Sequence, residues 1–135
     1  MVNIVNIRAW MAWLVVVAFA GCAQSDFHEV TGRLTDRTGA PLPDIRVVFI
    51  QKNNSLTATA QTSADGTYRL GARRPGEGSP VGDYTVLVVE DVLDVDSARP
   101  RPPRIARKYS DPTLSGLEAS VKPGRNRFDF QLDPQ

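Results

Sequence analysis

The sequence has one cysteine and one histidine among its 135 residues. A lone cysteine cannot close an internal disulfide, and one Cys with one His cannot complete a structural zinc site. No apolar run approaches the about 20 residues that a helix needs to cross a bilayer core. Neither sign of charge dominates, because 16 Lys+Arg stand against 15 Asp+Glu. That balance argues against a general nucleic-acid binder, which carries a clear basic excess. Aromatics are sparse at 7%, yet the 41% hydrophobic content argues against a wholly disordered chain. The length suits one domain. What is plentiful is glycine and proline, 10 of each, which point to a turn-rich β protein.

The first residues read as an address. A short polar start carries a single positive charge at Arg8, and the run Trp10–Ala20 (WMAWLVVVAFA) is unbroken and apolar. It is too short to span stably and has the length of a signal-peptide core. A buried helix of the folded domain would instead need an amphipathic or capped pattern, which is missing. Phe19-Ala20-Gly21-Cys22 resembles the lipobox of bacterial lipoproteins, with Phe19 where an aliphatic residue is usual. That resemblance implies a signal peptide over 1–21, a lipidated Cys22 bearing palmitate-type acyl chains, and a tether over 22–28. Ala18-Phe19-Ala20 also fits an ordinary signal-peptidase site. Cutting there would leave an unpaired thiol in an oxidising compartment, so the position of the only cysteine favours lipidation. Ala23, a non-Asp residue after the cysteine, implies the outer membrane by the same resemblance. Removing Arg8 from the 16 basic residues leaves 15 against 15 acidic ones, a mature chain of zero net charge.

From about residue 29 to 133, apolar segments alternate with turn chemistry. Val30–Thr35 predicts a strand with Val30, Gly32 and Leu34 on one face. Ile45–Gln51 is β-branched and aromatic, and Leu56–Thr62 alternates Thr with Ala. Asp65-Gly66 predicts a hairpin turn before Thr67–Leu70. Asp83–Glu90 is continuously apolar in its middle, as a central strand covered on both faces would be. Leu117–Val121 and Asn126–Leu132 flank Pro123-Gly124, read as another hairpin. Phe128, Phe130 and Leu132 alternate with polar residues. Seven strands and no convincing helix predict an all-β sandwich.

Two stretches carry a family likeness. Val30-Thr31-Gly32-Arg33-Leu34-Thr35-Asp36 with Gly39-Ala40-Pro41-Leu42-Pro43 is one. Thr62-Ser63-Ala64-Asp65-Gly66-Thr67-Tyr68-Arg69-Leu70 with Gly82-Asp83-Tyr84-Thr85-Val86 is the other. They resemble the carboxypeptidase regulatory-like domain, which implies a seven-stranded transthyretin-like β-sandwich serving as an accessory module. Enzymatic relatives of that fold, the hydroxyisourate hydrolases, need several histidines and a C-terminal Tyr-Arg-Gly-Ser. This chain has only His28 and ends Leu132-Asp133-Pro134-Gln135. Adhesin relatives form Lys–Asn isopeptide bonds from a lysine in the first strand, where none lies here, leaving Lys52 with Asn126 as the one pairing to consider. His28 reads as a solvated tether residue. No catalytic constellation, cofactor or metal site is expected.

The long stretch 91–116 stands apart. Glu90, Asp91, Asp94 and Asp96 come first; Arg99, Arg101, Arg104, Arg107 and Lys108 follow, interleaved with Pro100, Pro102 and Pro103. The plain reading is a solvated loop whose two arms partly neutralise each other. The alternative is a surface formed by Arg99, Arg101, Arg104, Arg107, Lys108 and Tyr109 for an anionic partner, since arginine grips phosphate and carboxylate bidentately. Asp94-x-Asp96 lacks the remaining ligands of a calcium loop. The expectation is therefore a bacterial envelope lipoprotein held to the membrane by lipid, with a non-catalytic structural or protein-interaction module. Its partner would be an envelope protein or anionic polymer and not nucleic acid. A carbohydrate- or peptide-binding accessory module is the second reading.

Overall fold

The alternation of Val30, Gly32 and Leu34 resolves into a strand with those three residues buried. In the computed structural model, residues 26–91 and 101–135 are described. Cys22, the signal segment, Asp94, Asp96 and Arg99 lie outside them. The strands are β1 Val30–Asp36, β2 Ile45–Gln51, β3 Thr57–Gln61, β4 Thr67–Arg69, β5 Gly82–Glu90, β6 Leu117–Val121, β7 Asn126–Arg127 and β8 Phe130–Leu132. They form two sheets. One is ordered β4-β1-β7, with β8 also pairing β1; the other is ordered β3-β2-β5-β6.

The core lies between the sheets because the inward faces are apolar in register. Val47 pairs with Val88, Phe49 with Val86, and Gln51 with Tyr84. The expected central place of the strand at 83–90 is met: β5 has β2 on one side and β6 on the other, with Val86, Leu87 and Val88 all buried. Phe49 sits at the heart of the core. Its ring lies 6.4 Å from Tyr68, 5.9 Å from Tyr84 and 5.9 Å from Phe128, all tilted. Tyr84 is buried with its hydroxyl satisfied, receiving Ser79 Oγ–H at 2.6 Å and donating to the Pro80 carbonyl at 2.8 Å. Tyr68 donates to the Phe128 carbonyl at 2.5 Å, and burial pushes its phenol well above the usual range.

Three expectations are corrected. The class is all-β, but the strands number eight. Asn126–Leu132 divides into β7 and β8, which both run parallel to β1. At the break, the Phe128 N–H still reaches Thr31 O at 2.8 Å, while the Phe128 carbonyl turns to the Tyr68 hydroxyl. Pro123-Gly124 is not a hairpin but a crossing, since β6 pairs β5 in one sheet and β7 pairs β1 in the other. The Asp65-Gly66 turn does form, with Gly66 at φ 78°. Its arms then part, however: β3 joins β2 and β4 joins β1. Asp65 Oδ1 accepts from the Ser63 hydroxyl at 2.6 Å and the Thr67 hydroxyl at 2.6 Å, which holds its carboxyl well below the usual range.

Residues 101–116 are tied to the sandwich. The Glu90 carboxylate accepts from Arg104 N–H at 2.9 Å, Arg104 Nε at 2.6 Å and Ile105 N–H at 3.4 Å. Ala106 N–H donates to Asp133 O at 3.0 Å, and Asp133 N–H donates to Tyr109 Oη at 2.9 Å. A short 3-10 helix, Arg107–Ser110, lies between these ties. Ile105 and Tyr109 are each 4% exposed and join the core. The segment is therefore a stitched flap rather than a solvated loop.

Candidate anion-binding cleft

That stitching decides what the basic residues of the flap can do. Arg104 is taken by Glu90 at 2.6 Å. Lys108 is taken by Asp133 at 2.8 Å, and Arg37 reaches the other oxygen of the same carboxylate at 2.6 Å. Tyr109, expected on the surface, is buried in the core cluster, and its hydroxyl accepts the Asp133 backbone N–H. Among the described residues of that set, only Arg101 and Arg107 come together, around a hollow of about 350 Å³ whose walls include Val88, Val89, Pro103 and Ile105. Of that predicted surface, Arg104, Lys108 and Tyr109 are engaged within the chain, while Arg99 lies outside the described residues.

Lys108 first, then Arg37, hold the Asp133 carboxyl down to about 2. A carboxyl depressed by folding adds stability above its unfolded value of about 3.9, and that stability is lost as pH falls toward the folded value. An NMR titration of the Asp133 carboxyl is expected to show a midpoint near 2. Asp133→Asn should remove that titration and flatten the acid limb of the stability profile between about pH 4 and 2.

A larger open cleft, about 970 Å³, draws on both sheets. Thr31 and Gly32 come from β1, Tyr68 and Arg69 from β4, and Arg127 from β7. Arg46 comes from β2, Thr59 to Gln61 from β3, and Gly71 to Gly76 from the segment after β4. Arg46, Arg69, Arg73, Arg74 and Arg127 all line it, and among the described residues no Asp or Glu does. The topology brings them together: β3 and β4 are the end strands of their sheets. Their neighbourhood is closed by Gly71, which exchanges two backbone hydrogen bonds with Thr59 at 3.0 Å each.

The arginines are weakly held by the protein. Arg46 meets Asp91 at 3.2 Å, Arg69 meets Glu29 at 3.8 Å, and Arg127 meets Asp129 at 3.1 Å. The three arginine side chains are 53%, 62% and 66% exposed. Pairs this exposed contribute about 0–1 kcal/mol, so an incoming anion can replace them at little cost. Arg73 lies over the Phe27 ring, 4.9 Å from its centroid. Among the described residues neither Arg73 nor Arg74 makes a salt bridge. Guanidinium forks beside the Thr59 hydroxyl and the Gln61 amide suit a phosphate, sulfate or carboxylate carried on a polar ligand. Sequence reading missed this cluster. The density Arg69-Leu70-Gly71-Ala72-Arg73-Arg74 before Pro75-Gly76 was the available signal; Arg46 and Arg127 gave none.

Other groups singled out in the sequence are engaged elsewhere. His28 is not a free tether residue: its backbone pairs with Ser79, and its Nδ1 accepts from Gly124 N–H at 3.0 Å. Lys52 pairs with Glu118 at 2.7 Å. The Asn126 amide donates to the carbonyls of Lys122, Glu29 and Gly124, so the structure does not join it to Lys52. Among the described residues no group of three or more His, Cys, Asp or Glu could hold a metal ion.

The stretch from β1 to β5, with its Asp-Gly turn, has a counterpart among known families. The carboxypeptidase regulatory-like domain matches residues 29–91. This regulatory-like stretch holds β1 to β5 and every cleft arginine except Arg127. No curated protein matches the chain. A DUF3823 family protein from Parabacteroides merdae superposes with a TM-score of 0.50 at 14% identity, over 82% of this chain and 47% of that one. The chain thus spans about half the length of that protein, and the two share a fold. A 9R-lipoxygenase from Cyanothece PCC8801 matches at TM-score 0.40 and 16% identity, over 80% of this chain and 16% of that one. The dioxygenase domain of a dioxygenase–carbohydrate-binding fusion from Streptomyces sp. SirexAA-E matches at 0.41 and 21%, over 84% of each chain. At those scores neither bears on what this chain does.

Proposed function

We propose that the protein is a lipid-anchored bacterial envelope module, held through Cys22 and probing its surroundings with a non-catalytic regulatory-like sandwich that captures an anionic ligand. The observation that carries the binding reading is the cleft lined by Arg46, Arg69, Arg73, Arg74 and Arg127, with no Asp or Glu among its described lining residues and only exposed carboxylate pairs at three of the five. The anchor reading rests on the lipobox resemblance at Phe19–Cys22 and on the apolar run before it. Placement in the outer membrane rests on Ala23 alone. The ligand class is an acidic polymer of the envelope, a glycan or peptide carrying phosphate, sulfate or carboxylate groups. Against an enzyme stands the engagement of His28 with Gly124 and of Lys52 with Glu118.

Polyphosphate serves as the probe. The Arg73→Ser/Arg74→Ser chain is expected to bind it at least tenfold more weakly by calorimetry, which corresponds to about 1.4 kcal/mol. Arg101→Ser/Arg107→Ser should change affinity less than threefold. The reverse ranking would move the site to the flap. Label from an alkyne fatty acid that persists in Cys22→Ala would refute the anchor.

A further inference from the structure

Where the chain leaves the sandwich matters for what the cleft can meet. Among the described residues, Phe27, His28 and Glu29 lie where the chain enters the sandwich, and basic groups from three segments surround them. Arg73 covers the Phe27 ring at 4.9 Å. Arg69 and Arg125 converge on the Glu29 carboxylate at 3.8 and 3.3 Å. Arg125 is 92% exposed, and Lys122, Arg73 and Arg74 are exposed too. The acids that meet these basic residues among the described ones are Glu29 and Glu77. Glu29 is shared between two arginines, and Glu77 accepts from the Arg74 backbone N–H at 3.1 Å. Positive charge is in excess around the exit.

Only four residues lie between Cys22 and Phe27, a span of five Cα–Cα steps. Even fully extended they reach about 18 Å, so an acyl group at Cys22 keeps this pole of the sandwich close to the headgroups. Once within about a Debye length of an anionic surface, roughly 8–10 Å, each basic side chain facing it strengthens association by about fivefold. A lipid chain supplemented by basic residues is a recognised two-part membrane attachment. Acyl chains alone would hold the protein without orienting it. A basic pole at the exit fixes which face looks down.

We infer that Arg73, Arg74, Lys122 and Arg125 dock the anchored domain against anionic lipid headgroups, so that the arginine cleft opens at the membrane surface. The inference rests on the anchored, anion-binding reading above. The full lipidated chain would be reconstituted in phosphatidylcholine vesicles with or without roughly 30% phosphatidylglycerol, and amide hydrogen exchange followed at 71–76 and 122–127. Exchange there is expected to slow severalfold in the anionic vesicles only, and to recover in high salt. Lys122→Ser/Arg125→Ser, outside the cleft, should abolish the slowing while leaving polyphosphate binding intact. Equal exchange in both vesicles, slowing that survives the double substitution, or a chain carrying no acyl group by mass would each overturn the docking. Polyphosphate binding without lipid-dependent protection leaves the cleft reading standing and the docking refuted. Loss of both refutes both.

Discussion

Gly32→Ala is expected to destabilise the fold by about 2–4 kcal/mol, a large effect for one methyl group on a strand. Gly32 is buried on the inner face of β1, opposite Tyr68. An added Cβ there would stand 2.5 Å from the Tyr68 hydroxyl and closer still to the Phe128 carbonyl. Those are the two groups that hydrogen-bond across the sheet at 2.5 Å. The methyl therefore adds overpacking, about 1–3 kcal/mol, and parts a buried donor from its acceptor, about 1 kcal/mol more. The obstacle is backbone rather than a flexible side chain, so relaxation is limited. Urea unfolding with unchanged m-value would measure the loss. A shift under about 0.5 kcal/mol would mean the β7–β8 connection does not cross where described.

Phe49→Ala is expected to cost about 3–5 kcal/mol. The ring is fully buried and touches Tyr68 and Phe128 from one sheet and Tyr84 from the other. Truncation removes its buried area and leaves a cavity between sheets that cannot close without shifting both. Tilted aromatic pairs add about 0.5–1.5 kcal/mol beyond area, so the cost should sit at the upper end. Phe49→Leu, which refills most of the space, should recover more than half of the loss in thermal melts. If both variants melted alike, the aromatic contacts would not be the element joining the sheets.

Alternation made β1 legible, β-branched and aromatic composition made β2 legible, and a continuous apolar run made β5 legible, because burial on one face or on both leaves its mark on neighbouring residues. The Asp65-Gly66 turn was legible because its positive φ and side-chain acceptor are local requirements. The partners of β4, β7 and β8 were not legible. A strand written by local residues does not say which edge it joins, and parallel pairing to β1 leaves no turn signature. Tyr109 misled for a related reason. Basic and proline residues around it look solvated, whereas its burial depends on Asp133, which lies 24 residues later. The same distance problem concealed the cleft. Arg46, Arg69 and Arg127 meet only after two sheets have formed, while the compact run of Arg101, Arg104, Arg107 and Lys108 looked stronger in sequence and proved largely paired.

This contrast gives a general reason to weigh charge by partner rather than by density. Arg104 and Lys108 complete bonds that hold the flap, so their removal should loosen residues 101–116 before it affects any ligand. The cleft arginines hold exposed pairs or none, which leaves their charge available.

The most direct measurement is a chemical-shift titration of the isotopically labelled full chain with polyphosphate. The largest shifts are expected at Thr59–Gln61, Arg69–Gly76 and Arg127, fading as salt rises. Shifts confined to residues 101–110, with the cleft silent, would contradict that expectation.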